Sequence, residues 1–254
     1  MSEPLLVRDV GPVRWLTLNR KEKRNALNAE LVDALKAALR DPGPARCLAI
    51  TGAGSAFSAG ADLAALQKMQ SATAEENLAD SRSLAELFRM IAEHPLPVIA
   101  AVNGHALGGG AGLAVACDLT LAVPGARIGF TEVRIGFVPA IVLNFLLRAV
   151  GEKVARDLCL TGRVLDAKEA ATRGLLRVVE DLEAGVRTVG DEITAAGPGA
   201  VAHTKRLFLA LRQLPLAEGL AKAAEENAAA RGSPDCREGI AAFLEKRAPN
   251  WPRP

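Results

Sequence analysis

The stretch PVIAAVNGHALGGGAGLAVACDLTLAVPGARIGFTEVRIGFVP, from Pro97 to Pro139, decides how this chain is read. A short apolar strand, Val98 to Val102, ends in the turn Asn103-Gly104 and runs into Gly108, Gly109, Gly110 and Gly112. Leu113 to Cys117 then reads as the body of a buried helix. Glycine costs a helix roughly 1 kcal/mol per residue relative to alanine, so a cluster at a helix start needs a reason. Close approach supplies one: without Cβ atoms, backbone N–H groups at the positive end of a helix can touch a ligand oxygen. Twenty residues beyond Gly112 stands Glu132, with Ile128-Gly129-Phe130 before it and Val133 after it. A polarising glycine turn and one acid–base carboxylate together outline enolate chemistry.

Outward from that stretch the chain alternates strands and helices. Val13 to Asn19 reads as a strand followed by the charged turn Arg20 to Arg24. Asn28 is placed to cap a helix whose apolar residues Leu31, Val32, Leu35 and Leu39 recur at helical spacing. Arg46 to Thr51 is a second strand, closed by Gly52-Ala53-Gly54-Ser55. Asp62 to Asp80 is polar and alanine-rich and reads as a helical cover, and Leu84 to Ile91 as a firmer helix ending before Pro95. A strand at Leu119 to Val123 and a helix from Pro139 to Val150 follow. Such alternation predicts an α/β chain with crossover connections. From Asp181 to Arg247 only helical segments are read, broken by Gly197-Pro198, Pro215 and Pro234. The expected division is an α/β core over residues 1–195 and a helical region over residues 196–254.

The bulk properties narrow the function classes. The chain has 254 residues, half of them hydrophobic, with 31 basic and 29 acidic side chains for a net charge of +2. That balance gives no electrostatic footprint for nucleic acid or an anionic membrane. The N-terminus lacks the basic-then-apolar pattern of a signal peptide, and Leu113 to Val123 is too short to span a bilayer, so a cytoplasmic address is expected. Cys47, Cys117, Cys159 and Cys236 form no CxxC pair and read as reduced thiols; His94, His105 and His203 are too scattered for a metal site, and no metal is expected. The dinucleotide fingerprint fails at Phe57, and neither a P-loop nor a GxSxG elbow is present. What remains is two glycine-containing turns, Gly54 to Asp62 and Gly104 to Gly110, each following a strand. One N–H from each could converge on a single oxygen as an oxyanion hole.

In this order, the segments resemble the enoyl-CoA hydratase/isomerase, or crotonase, family. The resemblance rests on Leu18-Asn19-Arg20 with Asn25-Ala26-Leu27-Asn28, Ile50-Thr51-Gly52 with Phe57 to Leu63, Pro97 to Gly104 leading to Gly108-Gly109-Gly110, Ala116-Cys117-Asp118, Phe130-Thr131-Glu132 and Leu160-Thr161-Gly162. It implies a spiral of ββα units with a helical C-terminal region that mediates assembly as a homotrimer or a hexameric dimer of trimers. It implies an acyl-CoA thioester as substrate, with coenzyme A part of that substrate and no separate cofactor. Carried over by position, Ala61 and Gly109 supply the oxyanion-hole amides and Glu132 the catalytic carboxylate. Lys23, Arg24, Ala26, Leu27, Ser58, Ala59, Asp62, Leu63 and Gly108 match substrate- and CoA-binding positions. Asp118 also matches the pattern, but its place between a helix and a strand suits a structural cap.

One position departs from the pattern. The best-known hydratases of this family carry a second glutamate where this chain has Gly112. Three routes remain open: Glu132 alone handles the water and its proton; a carboxylate from Glu75, Glu76, Asp80 or Glu86 substitutes; or the reaction is 3-enoyl to 2-enoyl isomerisation, which needs no water. The motifs Gly-Gly-Gly-x-Gly-Leu, Thr-Glu-Val and Gly-Phe-Val-Pro-Ala are similar to those of family members described as hydratases, which favours water addition. An RNA-binding or non-catalytic member of the family is the alternative of another class, weakened by the shortness of the basic run Lys21 to Arg24. Arg134 is a candidate reader of a substrate carboxylate, or else the partner in an external ion pair.

Overall fold

A computed structural model describes residues 3–251. In chain order the elements are β1 (Leu5–Val10), β2 (Val13–Leu18), α1 (Ala29–Arg40), β3 (Cys47–Gly52), β4 (Ala56–Ser58), α2 (Leu63–Met69), α3 (Ala74–Glu93), β5 (Val98–Val102), β6 (His105–Leu107), α4 (Gly109–Ala116), β7 (Leu119–Ala122) and β8 (Arg127–Gly129). Then come α5 (Ala140–Thr161), β9 (Val164–Asp166), α6 (Ala167–Thr172), β10 (Arg177–Val178), α7 (Leu182–Thr194), α8 (Pro198–Leu211), α9 (Leu216–Arg231) and α10 (Pro234–Leu244).

The strands form two sheets. One has the order β1-β2-β3-β5-β7-β10 and is parallel apart from the β1–β2 hairpin; the other has the order β4-β6-β8-β9. Each of β3, β5 and β7 in the large sheet is followed at once by β4, β6 or β8 in the small one, and then by a helix. That repetition is the expected spiral of ββα units.

The central strands β3 and β5 of the large sheet are apolar on both faces because both faces are covered. On one side Leu16, Leu18, Leu48, Ile50, Val98 and Ala100 pack against Leu31 and Leu35 of α1, Leu87, Phe88 and Ile91 of α3, and Leu113 of α4. On the other, Trp15, Ala49, Ile99 and Leu121 pack against Val186 and Val189 of α7.

Three expectations are refined. Residues 62–80 form more definite structure than their weak periodicity suggested: α2 is capped by Asp62, and α3 starts at a capping box in which Thr73 and Glu76 exchange hydrogen bonds. The helix that begins at Ala140 does lose helical geometry at Gly151 (φ +75°, ψ 169°), but a second helical run continues from there to Thr161. The glycine helix starts at Gly109, four residues earlier than Leu113, so the glycines form its first turn rather than its approach.

The histidines and the acid at the helix-to-strand junction are structural. Both ring nitrogens of buried His94 lie within hydrogen-bonding distance of carbonyls, those of Leu96 and Leu39. The Asp118 carboxylate accepts the Val98 N–H at 2.7 Å and pairs with Lys205 at 2.6 Å. Lys205, buried on α8, also donates to the carbonyls of Ile91 and Leu96, which ties the helical region to the sheet. His203 pairs with Glu226, and all four cysteines are free thiols.

Candidate active site

Three consecutive ββα units deliver the three parts of the site. Ala61 follows β4, Gly109 follows β6 and Glu132 follows β8, and these strands lie side by side and parallel in the small sheet. Neighbouring strands are about 4.8 Å apart, so residues just past their ends must meet.

The first loop is clamped so that one amide is left over. Leu27 N–H donates to Gly60 C=O at 2.7 Å and Asp62 N–H donates to Leu27 C=O at 3.1 Å. This ladder bonds on both sides of Ala61 and leaves the Ala61 N–H without an acceptor among the described residues. Gly109 N–H, at the first position of α4, is one of the amides that a helix cannot satisfy internally, and it too has no acceptor there. The loops abut: a Cβ on Gly109 would lie 3.9 Å from the Ala61 nitrogen, and one on Gly60 would lie 3.1 Å from the Gly109 nitrogen. Two N–H groups without acceptors thus stand side by side at a helix start, Gly109 half-buried and Ala61 exposed, which is the arrangement that could hold a developing oxyanion.

Glu132 opens a single 3₁₀ turn, Glu132–Ile135, beside this pair. Gly108 hydrogen-bonds across to β8, its N–H donating to Gly129 C=O at 2.8 Å, and a Cβ on Gly108 would lie 3.7 Å from the Glu132 carboxyl carbon. Gly108 has φ +52°, a conformation that side chains disfavour, so glycine serves both the turn and the approach of the carboxyl group. Glu132 Oε2 is buried and has no hydrogen-bond partner. Burial pushes the Glu132 carboxyl above its ordinary pKa, because the charged form is poorly solvated. The buried thiol of Cys159, pushed up to about 11 by burial and then by the nearby Glu132 charge, lies close by on α5.

Position 112, at the end of the first turn of α4, is closed by packing. A Cβ there would lie 2.5 Å from Val142 Cγ2 and 2.9 Å from Phe88 Cε2. Phe88, fully buried, packs edge-on against Phe145 at 5.7 Å between ring centroids. The other carboxylates proposed to fill the gap are placed elsewhere. Glu76 caps α3, Glu86 pairs with Lys36 at 2.8 Å, and Glu75 and Asp80 lie on the exposed first part of α3. Of these candidates among the described residues, Glu132 alone stands beside the paired amides.

The remaining predicted binding residues divide into exposed and committed groups. Lys23 and Arg24 are exposed in the turn after β2, and Leu63 is exposed at the start of α2. Ala26 and Leu27 are buried under that turn, and Ala59 N–H donates to Arg24 C=O. Ser58 is fully buried, its hydroxyl donating to Asn25 C=O at 2.8 Å and accepting from Gly60 N–H. Asp62 caps α2 and binds Arg20 at 2.9 Å, and Arg20 holds its carboxyl below the usual carboxylate range. Arg134 is exposed and makes no ion pair among the described residues; its side chain lies against Gly162 instead. Among those residues no three His, Cys, Asp or Glu side chains gather as metal ligands.

Sequence reasoning placed Asn25 in the family motif without its anchoring role, and it missed Phe88. Buried Asn25 has φ +55° and binds Arg20 N–H, Ala53 C=O and Ala56 C=O, so it fastens the Lys23–Arg24 turn to the loop carrying Ala61. Its readable signal was an Asn directly after a charged turn, a residue type that tolerates left-handed backbone. Phe88 carried only the signal of a core residue on a helix face.

Comparison with known proteins gives the family and the fold. The pattern of the enoyl-CoA hydratase/isomerase family matches residues 11–254. A Thermus thermophilus protein named "Putative enoyl-CoA hydratase" is 46% identical over 95% of this chain and 98% of its own length. The 2,3-dehydroadipyl-CoA hydratase of Escherichia coli is 34% identical over 99% of both chains. Among solved structures, the enoyl-CoA hydratase of Shewanella pealeana superposes with a TM-score of 0.93 at 31% identity, covering 98% of this chain and 96% of that one. The fold is the crotonase fold of these neighbours.

Proposed function

The chain belongs to the enoyl-CoA hydratase/isomerase family, and from that premise we propose that it is an enoyl-CoA hydratase. As a hydro-lyase it adds water syn across the double bond of a 2-enoyl-CoA thioester. The observation that carries this reading is the meeting of two unpartnered amides, Ala61 and Gly109, with the buried Glu132 carboxylate at the ends of three adjacent strands.

The thioester oxygen accepts hydrogen bonds from the Ala61 and Gly109 amides, which polarise the conjugated double bond. Water attacks C3 while its proton passes to Glu132, and the electrons of the double bond move onto the thioester oxygen as an enolate. The enolate then collapses and C2 takes the proton from Glu132. Each amide is worth about 2.7–4 kcal/mol against the charge that develops. Because one carboxylate both accepts and returns the proton, oxygen and hydrogen arrive on the same face, which is syn addition. A carboxyl with a raised pKa suits both halves of that exchange.

Lys23 and Arg24, exposed beside the clamped loop, are the proposed contacts for the phosphates of coenzyme A, with Ala26, Leu27, Ser58, Ala59, Asp62, Leu63 and Gly108 shaping the channel between them and Glu132. Coenzyme A arrives and leaves within the thioester, as in breakdown of fatty or branched acyl chains. Residues 1–195 carry this site. Residues 196–254 are the proposed assembly region of a homotrimer or a dimer of trimers, since Leu216, Phe243 and Leu244 are each more than 70% exposed there. Free thiols suit a reducing compartment such as the cytoplasm, and no described helix is long and apolar enough to cross a membrane.

The packing at Gly112 favours one second reading, isomerisation of a 3-enoyl to a 2-enoyl thioester, because that reaction needs one base and no water. The first test is loss of the ultraviolet absorbance of crotonyl-CoA on adding purified protein. Loss supports hydration; no loss with crotonyl-, branched or carboxylated enoyl thioesters overturns it.

A further inference from the structure

At the end of α4 opposite the oxyanion amides lies a second, separate cavity. It has a volume of about 750 Å³ and runs between α5 and α8, with the C-terminal end of α4 as its floor. Neither Ala61, Gly109 nor Glu132 lines it. The helix between them, Gly109–Ala116, is about 12 Å long.

The walls are apolar: Val115, Phe145, Ala149, Val201, Phe208 and Leu209. Its cations are Arg148, Arg212 and Lys205, and Asp118 is its one acid. Lys205 and Asp118 are bound to each other and to backbone groups, so their charges are matched. Arg148 and Arg212 have no acidic partner among the described residues, although they stand near enough for each to oppose the other's charge. Arg148 donates to the Asn144 carbonyl of its own helix, and both guanidinium groups are exposed at the cleft, open to an anion. The volume lies within the ~300–1,000 Å³ of small-molecule sites, which combine apolar walls with a few placed polar groups.

We propose that this cleft binds an alkyl or acyl chain with an anionic oxygen head, the chain against Val115, Phe145 and Phe208 and the head between Arg148 and Arg212. Two guanidinium groups match a carboxylate or a phosphate equally in kind, and the chemistry shared by both is what the cleft selects. The cleft also adjoins the catalytic helix from behind. Phe145 lines it and packs edge-on against Phe88, the ring that closes position 112. This inference does not depend on the reading of the catalytic site.

Isothermal titration calorimetry with dodecanoate, dodecyl phosphate and dodecanol tests it on the full-length protein. The expected result is binding of dodecanoate or dodecyl phosphate in the presence of saturating coenzyme A, at least tenfold tighter than dodecanol. The double variant Arg148→Ala/Arg212→Ala should weaken that binding at least tenfold, and Ala149→Trp, which fills the exposed cleft, should abolish it. Whichever anion binds more tightly names the head group. Equal binding of dodecanol, displacement by coenzyme A, or undiminished binding by the double variant would each overturn the proposal. So would absence of binding to the wild type, as when a second copy of the chain already covers the cleft.

Discussion

Phe88 packs so closely on Gly112 that a Cβ at position 112 would lie 2.9 Å from its ring. The place where the best-known hydratases resembling this chain carry a second glutamate is thus occupied by core packing, with Val142 closing the other side. Gly112→Ala should therefore lower stability by up to about 2 kcal/mol. Overpacking costs about 1–3 kcal/mol, against a gain of about 1 kcal/mol from better helix propensity. Urea unfolding measures it, and a variant more stable than the wild type would contradict the packing argument. Gly112→Glu should fold less stably still and gain no activity.

Glu132→Gln should lose turnover yet fold at least as stably as the wild type at neutral pH. The folded-state pKa of Glu132 is raised, so the folded protein holds its proton more tightly than the unfolded chain does. Its contribution to stability is complete below the unfolded value of about 4.3 and is lost as pH rises through the folded value. The advantage of the Gln variant should accordingly be absent at acid pH and grow as pH rises. Thermal unfolding across pH checks the sign; a Gln variant that loses stability as pH rises relative to wild type would contradict it.

The same shift governs the rate. The ionised form of Glu132 accepts the proton of water, so kcat/KM should rise with pH through a single ionisation lying above the ordinary glutamate value of about 4.3. A profile with two coupled acid limbs would mean that a second carboxylate takes part.

Asn25→Ala should cost about 2 kcal/mol, because it leaves Ala53 C=O, Ala56 C=O and Arg20 N–H without their partner in a buried position. It should also raise KM for a CoA thioester, since Asn25 ties the Lys23–Arg24 turn to the Ala61 loop. Lys23→Ala and Arg24→Ala should each raise KM about threefold to tenfold with kcat nearly unchanged, the pattern of lost uniform binding. Steady-state kinetics at two salt concentrations separates the cases, and an unchanged KM in all three variants would remove this turn from the CoA site.

Much of the fold was legible because its main signals are strong and local. Trp15-Leu16, Leu48-Ala49-Ile50 and Val98 to Val102 are apolar runs of strand length, and each lies in the large sheet. Strands β4, β6, β8 and β9 have three residues each, too few for a period of two to show. They exist because consecutive units place them side by side. The Thr73–Glu76 capping box was a readable start signal, masked by the alanine-rich polar composition around it. In the site, the positions of Ala61, Gly109 and Glu132 could be carried over by motif, whereas the closure of position 112 depends on Phe88 from another helix and no spacing predicts it. Arg148, on α5, and Arg212, just past the end of α8, reach one cleft from positions 64 residues apart in the chain, and the sequence held no sign of it.

The most direct measurement is mass-resolved turnover of crotonyl-CoA and 3-hexenoyl-CoA by the wild type and by Glu132→Gln. The account predicts water addition to crotonyl-CoA by the wild type, seen as a product heavier by one water, and none by the Gln variant at a thermal stability no lower than that of the wild type. Retained water addition in the Gln variant, or a shifted double bond in 3-hexenoyl-CoA with no water added to either substrate, would contradict it.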